Sequence, residues 1–542
     1  MKMPVDGKAS VDAALAASGG FGLAQALVMF VALFAWIVHG AQVMSMAYVA
    51  PAAAAEFSDD ATAIRLTGTF FFTGWLVGLT LWGRLSSTRG WLFALVWIEL
   101  AVAMSGLATA AATSGRMYLA ARFFCGFAEG GVPTTSFGWA GEFFLPAHKP
   151  VAGITLQVGF LVGSLLITLG AYEGGTGEWR TLSAVVSACA LPVALLAFIA
   201  PESPRWLRRA GHKVRASEVL SHIASLNSWP AREGWSAPPS IEMHALSKAA
   251  HLRDSEKLRD SDGDAADGDV ELVDENASML QHAHAGGTDG THGVRTVGVE
   301  ISPGVSSTSS DDLIPAPSLP VVAASARPTP SIWILISADA STRRVVLTLC
   351  FHWFVYSALF FGLSLHQAHD VRNALFTNVL QIPTVIATAF AFDTLGRRAT
   401  MLALLSTASL ACVSLSTLHA LGGALGSAEE TTRAALSTLG CMCMSAAFAG
   451  GYVLSAELLP TEVRPIGLAL CSQCSRVGGM MSPVALLFEH AAVPYALWGA
   501  LALVGGLATL ALPETLGEPS LETIDDLHAL IYRRLGVRYG RL

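Results

Sequence analysis

The chain has 542 residues, of which 53% are hydrophobic and only 14% are charged. These proportions and a mean hydropathy of +0.52 exclude an ordinary soluble globular protein and predict a polytopic membrane protein. The net charge of −8 gives no indication of a nucleic-acid partner, because much of it lies in one acidic stretch at residues 254–275.

Apolar runs predict an all-α protein with twelve transmembrane helices, called spans 1 to 12 below. Each run is long enough to cross most or all of a hydrocarbon layer about 30 Å thick. In chain order, the predicted spans are residues 23–49, 66–82, 92–112, 118–139, 153–171, 182–200, 345–365, 375–392, 401–421, 434–454, 466–487 and 495–512.

The spans divide the chain into two six-helix bundles, residues 21–210 and 343–515. Between them, residues 211–342 are rich in Ser, Asp, His, Gly and Pro, a composition that predicts a disordered linker. Residues 1–20 and 516–542 are predicted to be tails.

Basic residues favour one side of the predicted membrane. When the N-terminus is placed inside, the inner loops contain the pairs Arg208 with Arg209 and Arg397 with Arg398. The positive-inside rule then puts both tails and the linker in the cytosol. The plasma membrane is the first expectation, and an internal vesicle or organelle membrane is the alternative.

Short motifs recur in the two bundles. Pro201-Glu-Ser203 follows span 6 and recurs as Pro513-Glu-Thr515 after span 12, and Glu142 near the end of span 4 has a counterpart in Glu457 after span 10. Parallel six-helix repeats are typical of one large class of secondary transporters, which bind solute between the halves near the midplane. The sequence therefore predicts two pseudo-symmetric halves.

Arg476 is the one formal charge in the middle of span 11. A bare charge at that depth costs from about 2.5 to more than 10 kcal/mol. We therefore expect its side chain to face a polar cavity, a bound solute or a counter-ion such as Glu99 or Glu129.

Several other residues in the spans are candidates for binding the solute. His39 and Gln42 share one face of span 1. His39 is either a pH-sensitive ligand or proton carrier, or a hydrogen-bond partner for a neighbouring helix. The polar and aromatic candidates on spans 7 and 8, for which packing is the alternative, are His352, Trp353, Tyr356 and Gln381.

A second group of charged residues suggests a conformational gate. Arg122 and Glu129 lie two turns apart on span 4 and are expected to share a polar channel. The others are predicted at cytosolic helix ends, where they can cap helices and bridge the halves when that side is shut. These residues are Glu142, Asp393, Arg397, Arg398, Glu457 and Arg464.

Three stretches together resemble the major facilitator superfamily, and within it the organic ion transporter family and the related synaptic-vesicle-two-like branch. They are Pro201-Glu-Ser-Pro-Arg-Trp-Leu207, Arg122-Phe-Phe-Cys-Gly126, and Ala456 to Arg464 with Arg476-Val-Gly-Gly479. The resemblance implies the twelve-helix major facilitator fold and transport of a small organic solute by alternating access.

The resemblance also implies features of the site. The position that matches Arg476 tends to be Arg in organic anion carriers and Asp in organic cation carriers, which favours an organic anion. Organic cations, zwitterions and sugars are the alternatives within the class. Phe360 and Phe361 replace a pair of tyrosines, which implies a more apolar solute pocket. A monomer and a coupling ion such as H⁺ are further expectations.

No enzyme, cofactor or metal site is predicted. No nucleophile, base and orienting acid recur at a useful spacing, and there is no phosphate-binding glycine loop. All eight cysteines lie in apolar runs, and His282, His284 and His292 lie in the linker without cysteine nearby. A membrane scaffold or receptor that transports nothing is the hypothesis from another class.

Overall fold

The computed structural model describes residues 9–145, 148–174, 178–227, 339–421, 427–461, 463–518 and 521–534. Within these ranges all regular elements are helices, as expected for an all-α protein. Nine helical stretches among the described residues are long and apolar enough to cross a membrane.

All twelve predicted spans coincide with helices. Spans 1 to 6 are Leu23–Glu56, Thr67–Arg89, Trp91–Ala110, Gly115–Glu129 continued by Val132–Gly141, Lys149–Gly174, and Trp179–Ala188 continued by Ala190–Ile199. Spans 7 to 12 are Ala340–Gln367, Val371–Leu395, Arg397–Leu421, Ser427–Leu458, Arg464–Met481 continued by the 3₁₀ helix Ser482–Leu487, and Ala492–Thr509.

Three spans are interrupted where one helix was predicted, and span 6 breaks at Cys189, between Trp179–Ala188 and Ala190–Ile199. Span 4 breaks at Gly130 and Gly131, where a side chain on Gly130 would come within 2.7 Å of the Trp75 carbonyl of span 2. Span 11 changes from α-helix to 3₁₀ helix at Ser482, just before Pro483. Proline has no backbone N–H and so cannot extend the α-helical ladder.

The predicted repeat is visible in the helix connections. The Glu202 carboxylate accepts the backbone N–H of Leu92 at 3.1 Å, at the start of span 3. In the second half, the Glu514 carboxylate accepts the N–H of Arg397 at 2.9 Å, at the start of span 9. Burial opposes ionisation of Glu514, but the backbone N–H donors outweigh it and lower the pKa of this carboxyl group.

Glycine is required at both of these connections. Gly90 has φ +112° and Gly396 has φ +92°, a region that other residues rarely adopt. A side chain at either position would also come within 3 Å of the capping carboxylate, Glu202 or Glu514. The two halves therefore use the same turn to begin spans 3 and 9.

Both tails contain a helix, and the start of the linker is more ordered than the sequence predicts. Ala9–Ala17 is a helix with Val11 and Leu15 buried, and Ile524–Arg534 is a helix in the C-terminal tail. Lys213–Asn227, predicted to be disordered linker, is a helix with Ala216 and Ile223 buried. A spacing of seven puts this pair on one helical face, so a mostly polar segment can still pack. Residues 228–338 lie outside the described residues.

Spans 2 and 11, and spans 5 and 8, join the two halves. The Thr69 hydroxyl donates to the Met480 carbonyl at 2.9 Å. The Ser164 hydroxyl donates to the Asn378 side chain at 3.2 Å, and that side chain donates to Thr168 at 2.9 Å. These contacts lie towards one end of the bundle, called the closed end below. By the charge distribution, the closed end is the predicted outer side.

Candidate functional site

A small central cavity lies between the halves, with a volume of about 30 Å³. Spans 1, 2, 4 and 5 contribute to its wall from the first half, and spans 7, 10 and 11 from the second half. The lining residues are Trp36, His39, Trp75, Pro133, Gln157, Phe160, Phe360, Phe361, Phe448, Tyr452 and Arg476. This is the midplane position that the sequence repeat predicts for a solute site.

Arg476 is the cationic group in the cavity wall. Its side chain is only 4% exposed, and the guanidinium carbon lies 3.9 Å from the centroid of the Trp75 ring. The Nε atom has no hydrogen-bond partner. Within the described part of the chain, neither Glu99 nor Glu129 forms an ion pair with Arg476. These contacts therefore do not support the alternative in which Glu99 or Glu129 is the counter-ion of Arg476.

Glu129 pairs with His39 instead. His39 Nδ1 lies 2.5 Å from Glu129 Oε2, and both side chains are buried. The rings of Trp75 and Phe160 surround the imidazole at centroid distances of 5.1 and 5.6 Å. A polar pair thus lies behind the aromatic wall, with His39 reaching the cavity.

Aromatic rings from the two halves fill most of the space. Phe72 of span 2 lies 4.7 Å from Phe361 of span 7, and Phe160 of span 5 lies 6.1 Å from Phe360, measured between ring centroids. Pockets for organic ligands usually measure about 300–1,000 Å³. A cavity of about 30 Å³ is too small for such a solute. A solute of that size would fit at this position only after these rings had moved apart.

Four of the nine predicted solute-binding residues line the cavity: Arg476, His39, Phe360 and Phe361. The others lie in contacts within one half. Gln42 donates to Cys125 and Ser187, and His352 bonds the Gly505 carbonyl and Thr509.

The remaining three predicted binding residues, Trp353, Tyr356 and Gln381, also pack within the second half. The Trp353 indole donates to Ser455, and Gln381 accepts from Ser445. The Tyr356 ring stacks on that of His352.

Sequence reasoning missed most of the aromatic wall. Trp36 lies one turn before His39 on the same face of span 1, so this spacing was sufficient to predict that it lines the site. Gln157 is a polar residue in an apolar run and could have been noticed in the same way. No sequence pattern marks the other three rings, those of Trp75, Phe160 and Phe448, as part of the cavity wall. An aromatic ring in an apolar helix packs equally well against lipid, protein or solute.

The predicted gate residues fall into two groups. Arg122 is buried in the first half and donates to Ser45 at 3.1 Å, and Glu129 is buried there too. Neither belongs to the helix-end cluster.

The helix-end residues pair within a half in this conformation and do not bridge the halves. Glu142 pairs with Arg209 of the same half. In the other half, Arg397 lies 3.1 Å from Glu457 and 3.4 Å from Asp393.

Arg398 and Arg464 complete this second-half cluster through backbone contacts. The backbone N–H of Arg398 donates to Glu514, and the Arg464 side chain donates to the Leu459 carbonyl. Among the described residues, no group of His, Cys, Asp and Glu is arranged to bind a metal ion. His282, His284 and His292 lie outside those residues.

The chain is similar to curated carriers over most of its length. It is 26% identical over 495 residues to "Solute carrier family 22 member 15-like" of Xenopus tropicalis, covering 88% of this chain and 81% of that protein. It is 28% identical over 484 residues to "Solute carrier family 22 member 20" of Mus musculus, covering 88% and 71%. "Organic anion transporter 3" of Oryctolagus cuniculus is 25% identical over 469 residues, covering 85% and 71%.

A solved structure shows the same fold. The inward open conformation of the xylose transporter XylE from E. coli aligns with a TM-score of 0.63 and 16% identity, covering 93% of this chain and 99% of that one. The family model described as Major Facilitator Superfamily matches residues 25–483. The chain therefore belongs to the Major Facilitator Superfamily and is an integral, multi-pass membrane transporter.

Proposed function

We propose that this secondary transporter of small organic solutes carries organic anions, and that Arg476 binds the anionic group. The observation that supports the proposal is a buried guanidinium in the central cavity, with a free Nε atom and an aromatic ring beside it. A buried charge without a partner is costly, and a bound anion would supply the partner. A planar guanidinium can bind a carboxylate or sulfonate through two parallel hydrogen bonds.

The side chains that line the cavity favour a solute whose uncharged part is aromatic or apolar. Phe360, Phe361 and Phe448 face the site from the second half, and Trp36 and Phe160 face it from the first. A sugar would need many hydrogen-bonding groups, whereas rings form most of this wall. A cation would be repelled by Arg476. The relatives include both "Organic anion transporter 3" and an "Organic cation transporter-like protein", and the positive charge of Arg476 supports the anion.

The contacts between the halves support alternating access. The closed end is held by hydrogen bonds between spans 5 and 8 and between spans 2 and 11. The ion pairs near Glu142 and Glu457 at the opposite end stay within one half. With the closed end outside, both tails are cytosolic, as the positive-inside rule requires, and the plasma membrane is the proposed location.

A series of ligands with the same ring and different charge tests the substrate class. Benzenesulfonate, benzyltrimethylammonium and benzyl alcohol would each be added to the purified full-length protein, and its thermal unfolding recorded. We expect only benzenesulfonate to raise the unfolding temperature, because a ligand at about 100 times its Kd stabilises a protein by about 2.7 kcal/mol. Stabilisation by the ammonium compound instead, or by none of the three, would contradict an organic anion carrier.

A further inference from the structure

A groove with a volume of about 480 Å³ lies in the second half, where span 7 meets span 12. The first turns of span 7 form most of its wall, and span 12 contributes one residue near its end. Its lining includes Arg343, Arg344, Leu347, Phe351 and Ala508. None of these residues lines the central cavity between the halves. This groove, called the span 7 groove below, has no role in the proposed solute site.

The span 7 groove opens towards lipid. Leu347 of span 7 is 61% exposed, and Leu507 of span 12, next to Ala508, is 57% exposed. Val504, one turn before Ala508, is exposed as well. Leu349, on the opposite face of span 7 at nearly the same level, is buried. Exposed apolar side chains on a helix that crosses a membrane contact hydrocarbon, so acyl chains can enter the groove.

Two arginines lie at one end of the groove without a counter-ion. Arg343 and Arg344 are both exposed, and neither side chain forms an ion pair with any residue that the structure describes. The nearest acid along the chain is Asp339. Its carboxylate accepts the backbone N–H of Thr342 at 3.2 Å and pairs with His528. The two neighbouring positive charges are therefore available to a bound anion.

The position of the two arginines within span 7 makes an anion more favourable. Span 7 begins at Ala340, so both residues lie in its first two turns, where the helix dipole is positive. Basic residues are stabilised at the opposite end of a helix. An anion bound to both guanidinium groups would offset the repulsion between them and their unfavourable interaction with the helix terminus.

We propose that the span 7 groove binds an anionic phospholipid of the inner leaflet, with the phosphate group on Arg343 and Arg344 and an acyl chain along Leu347 and Phe351. The helical rise puts Phe351 about 10 Å from Arg344 along the axis, which is enough to pass from the headgroup layer into hydrocarbon. Guanidinium groups bind phosphate through paired hydrogen bonds. In the orientation proposed above, the arginines lie at the cytosolic surface, where anionic lipids are concentrated.

The groove favours a lipid over two other anions. A soluble phosphate would contact the arginines but would leave the apolar part of the groove unfilled, whereas a phospholipid fills both parts. The acidic stretch of the linker, residues 254–275, is the other candidate. A chain segment placed along Leu347 and Phe351 would expose backbone N–H and C=O groups to hydrocarbon, which is strongly unfavourable.

Competition for tritiated phosphatidylglycerol on the purified full-length protein in a nonionic detergent tests the assignment. Unlabelled phosphatidylglycerol should displace the label at about thirtyfold lower concentration than phosphatidylcholine with the same acyl chains, because each arginine contributes a factor of about five to binding of an anionic lipid. Millimolar inorganic phosphate at constant ionic strength should displace none. Displacement by phosphate would overturn the inference. Equal displacement by the two lipids, which is also expected if the linker occupies the groove, would overturn it too.

Paired substitutions locate the site. Arg343→Gln with Arg344→Gln should remove the preference for phosphatidylglycerol. The matched control, Lys213→Gln with Arg215→Gln, removes two positive charges from exposed positions on the helix after span 6 and should keep the preference. Leu347→Asp keeps both arginines but puts a negative charge beside the phosphate, and it should also remove the preference. An unchanged preference in the double arginine variant would overturn the inference.

Folding and solute binding are controlled separately. All five substituted positions are exposed, so each variant should unfold at the temperature of the unaltered protein when no lipid is added. If a variant does not fold, the competition on the unaltered protein decides. Neither measurement involves Arg476 or an organic solute, so a negative result would leave the proposed anion transport standing.

Discussion

A disulfide between Ser164→Cys and Asn378→Cys is expected to stop transport, and reduction is expected to restore it. The two native side chains lie 3.2 Å apart at the closed end, on span 5 of one half and span 8 of the other. Alternating access requires these helices to separate so that the site can open on the closed side. Uptake into liposomes before oxidation, after oxidation and after reduction would show a reversible loss to the level of empty vesicles.

Thr377→Cys with Thr438→Cys is the matched control. Their hydroxyl groups lie 2.8 Å apart on spans 8 and 10, both in the second half. A bond within one half leaves the rocking of the halves free, so this variant should transport after oxidation. The unaltered protein must be oxidised in parallel, because the native sulfur atoms of Cys350 and Cys471 lie 4.0 Å apart in the second half. Full transport with a proven Ser164–Asn378 cross-link would contradict motion between rigid halves.

Arg476→Gln is expected to weaken benzenesulfonate binding by at least about thirtyfold. Removing one partner of a buried charged pair costs about 2–5 kcal/mol, and this change removes the only cation in the cavity wall described here. Arg476→Lys should retain part of the affinity, because an ammonium group keeps the charge but cannot form two parallel hydrogen bonds to a sulfonate. Titration of the unaltered protein and the two purified variants by calorimetry gives the three dissociation constants.

The unfolding temperature of the Arg476→Gln variant distinguishes a binding defect from misfolding. Arg476 is buried without an ion pair among the described residues, so its replacement by a neutral residue should leave the unfolding temperature unchanged or raised in the absence of ligand. Arg372→Gln, at an exposed position near the start of span 8, should change neither affinity nor stability. Equal benzenesulfonate affinity in Arg476→Gln and the unaltered protein would remove Arg476 from the site.

The sequence was sufficient to predict the spans and the repeat, because apolar runs and recurring motifs can be recognised along the chain. Long apolar runs must be helices in lipid, and the Glu202 and Glu514 turns recur with the same neighbours. The position of Arg476 was also predictable, since a charge in the middle of an apolar helix needs a polar environment. The structure places Arg476 in the wall of the central cavity.

The sequence could not show which polar residues in the spans line the cavity and which form hydrogen bonds between helices of one half. Gln42, His352 and Gln381 interrupt apolar runs just as His39 does, yet each bonds a neighbouring helix of its own half. Whether a residue faces the cavity or a neighbouring helix depends on the orientation of its helix about the helix axis. Packing between the helices determines that orientation. The His39–Glu129 pair was missed for the same reason, because the two residues lie on spans 1 and 4.

The central claim is that an organic anion binds between the halves with its charged group on Arg476. The most direct measurement is a crystal structure with bound 4-iodobenzenesulfonate, in which anomalous scattering locates the iodine. We predict the sulfonate on the Arg476 guanidinium and the iodine among Phe360, Phe361 and Phe448, with Phe72 and Phe361 moved apart. An iodine peak outside the space between the halves, or a sulfonate held by other residues, would contradict this account.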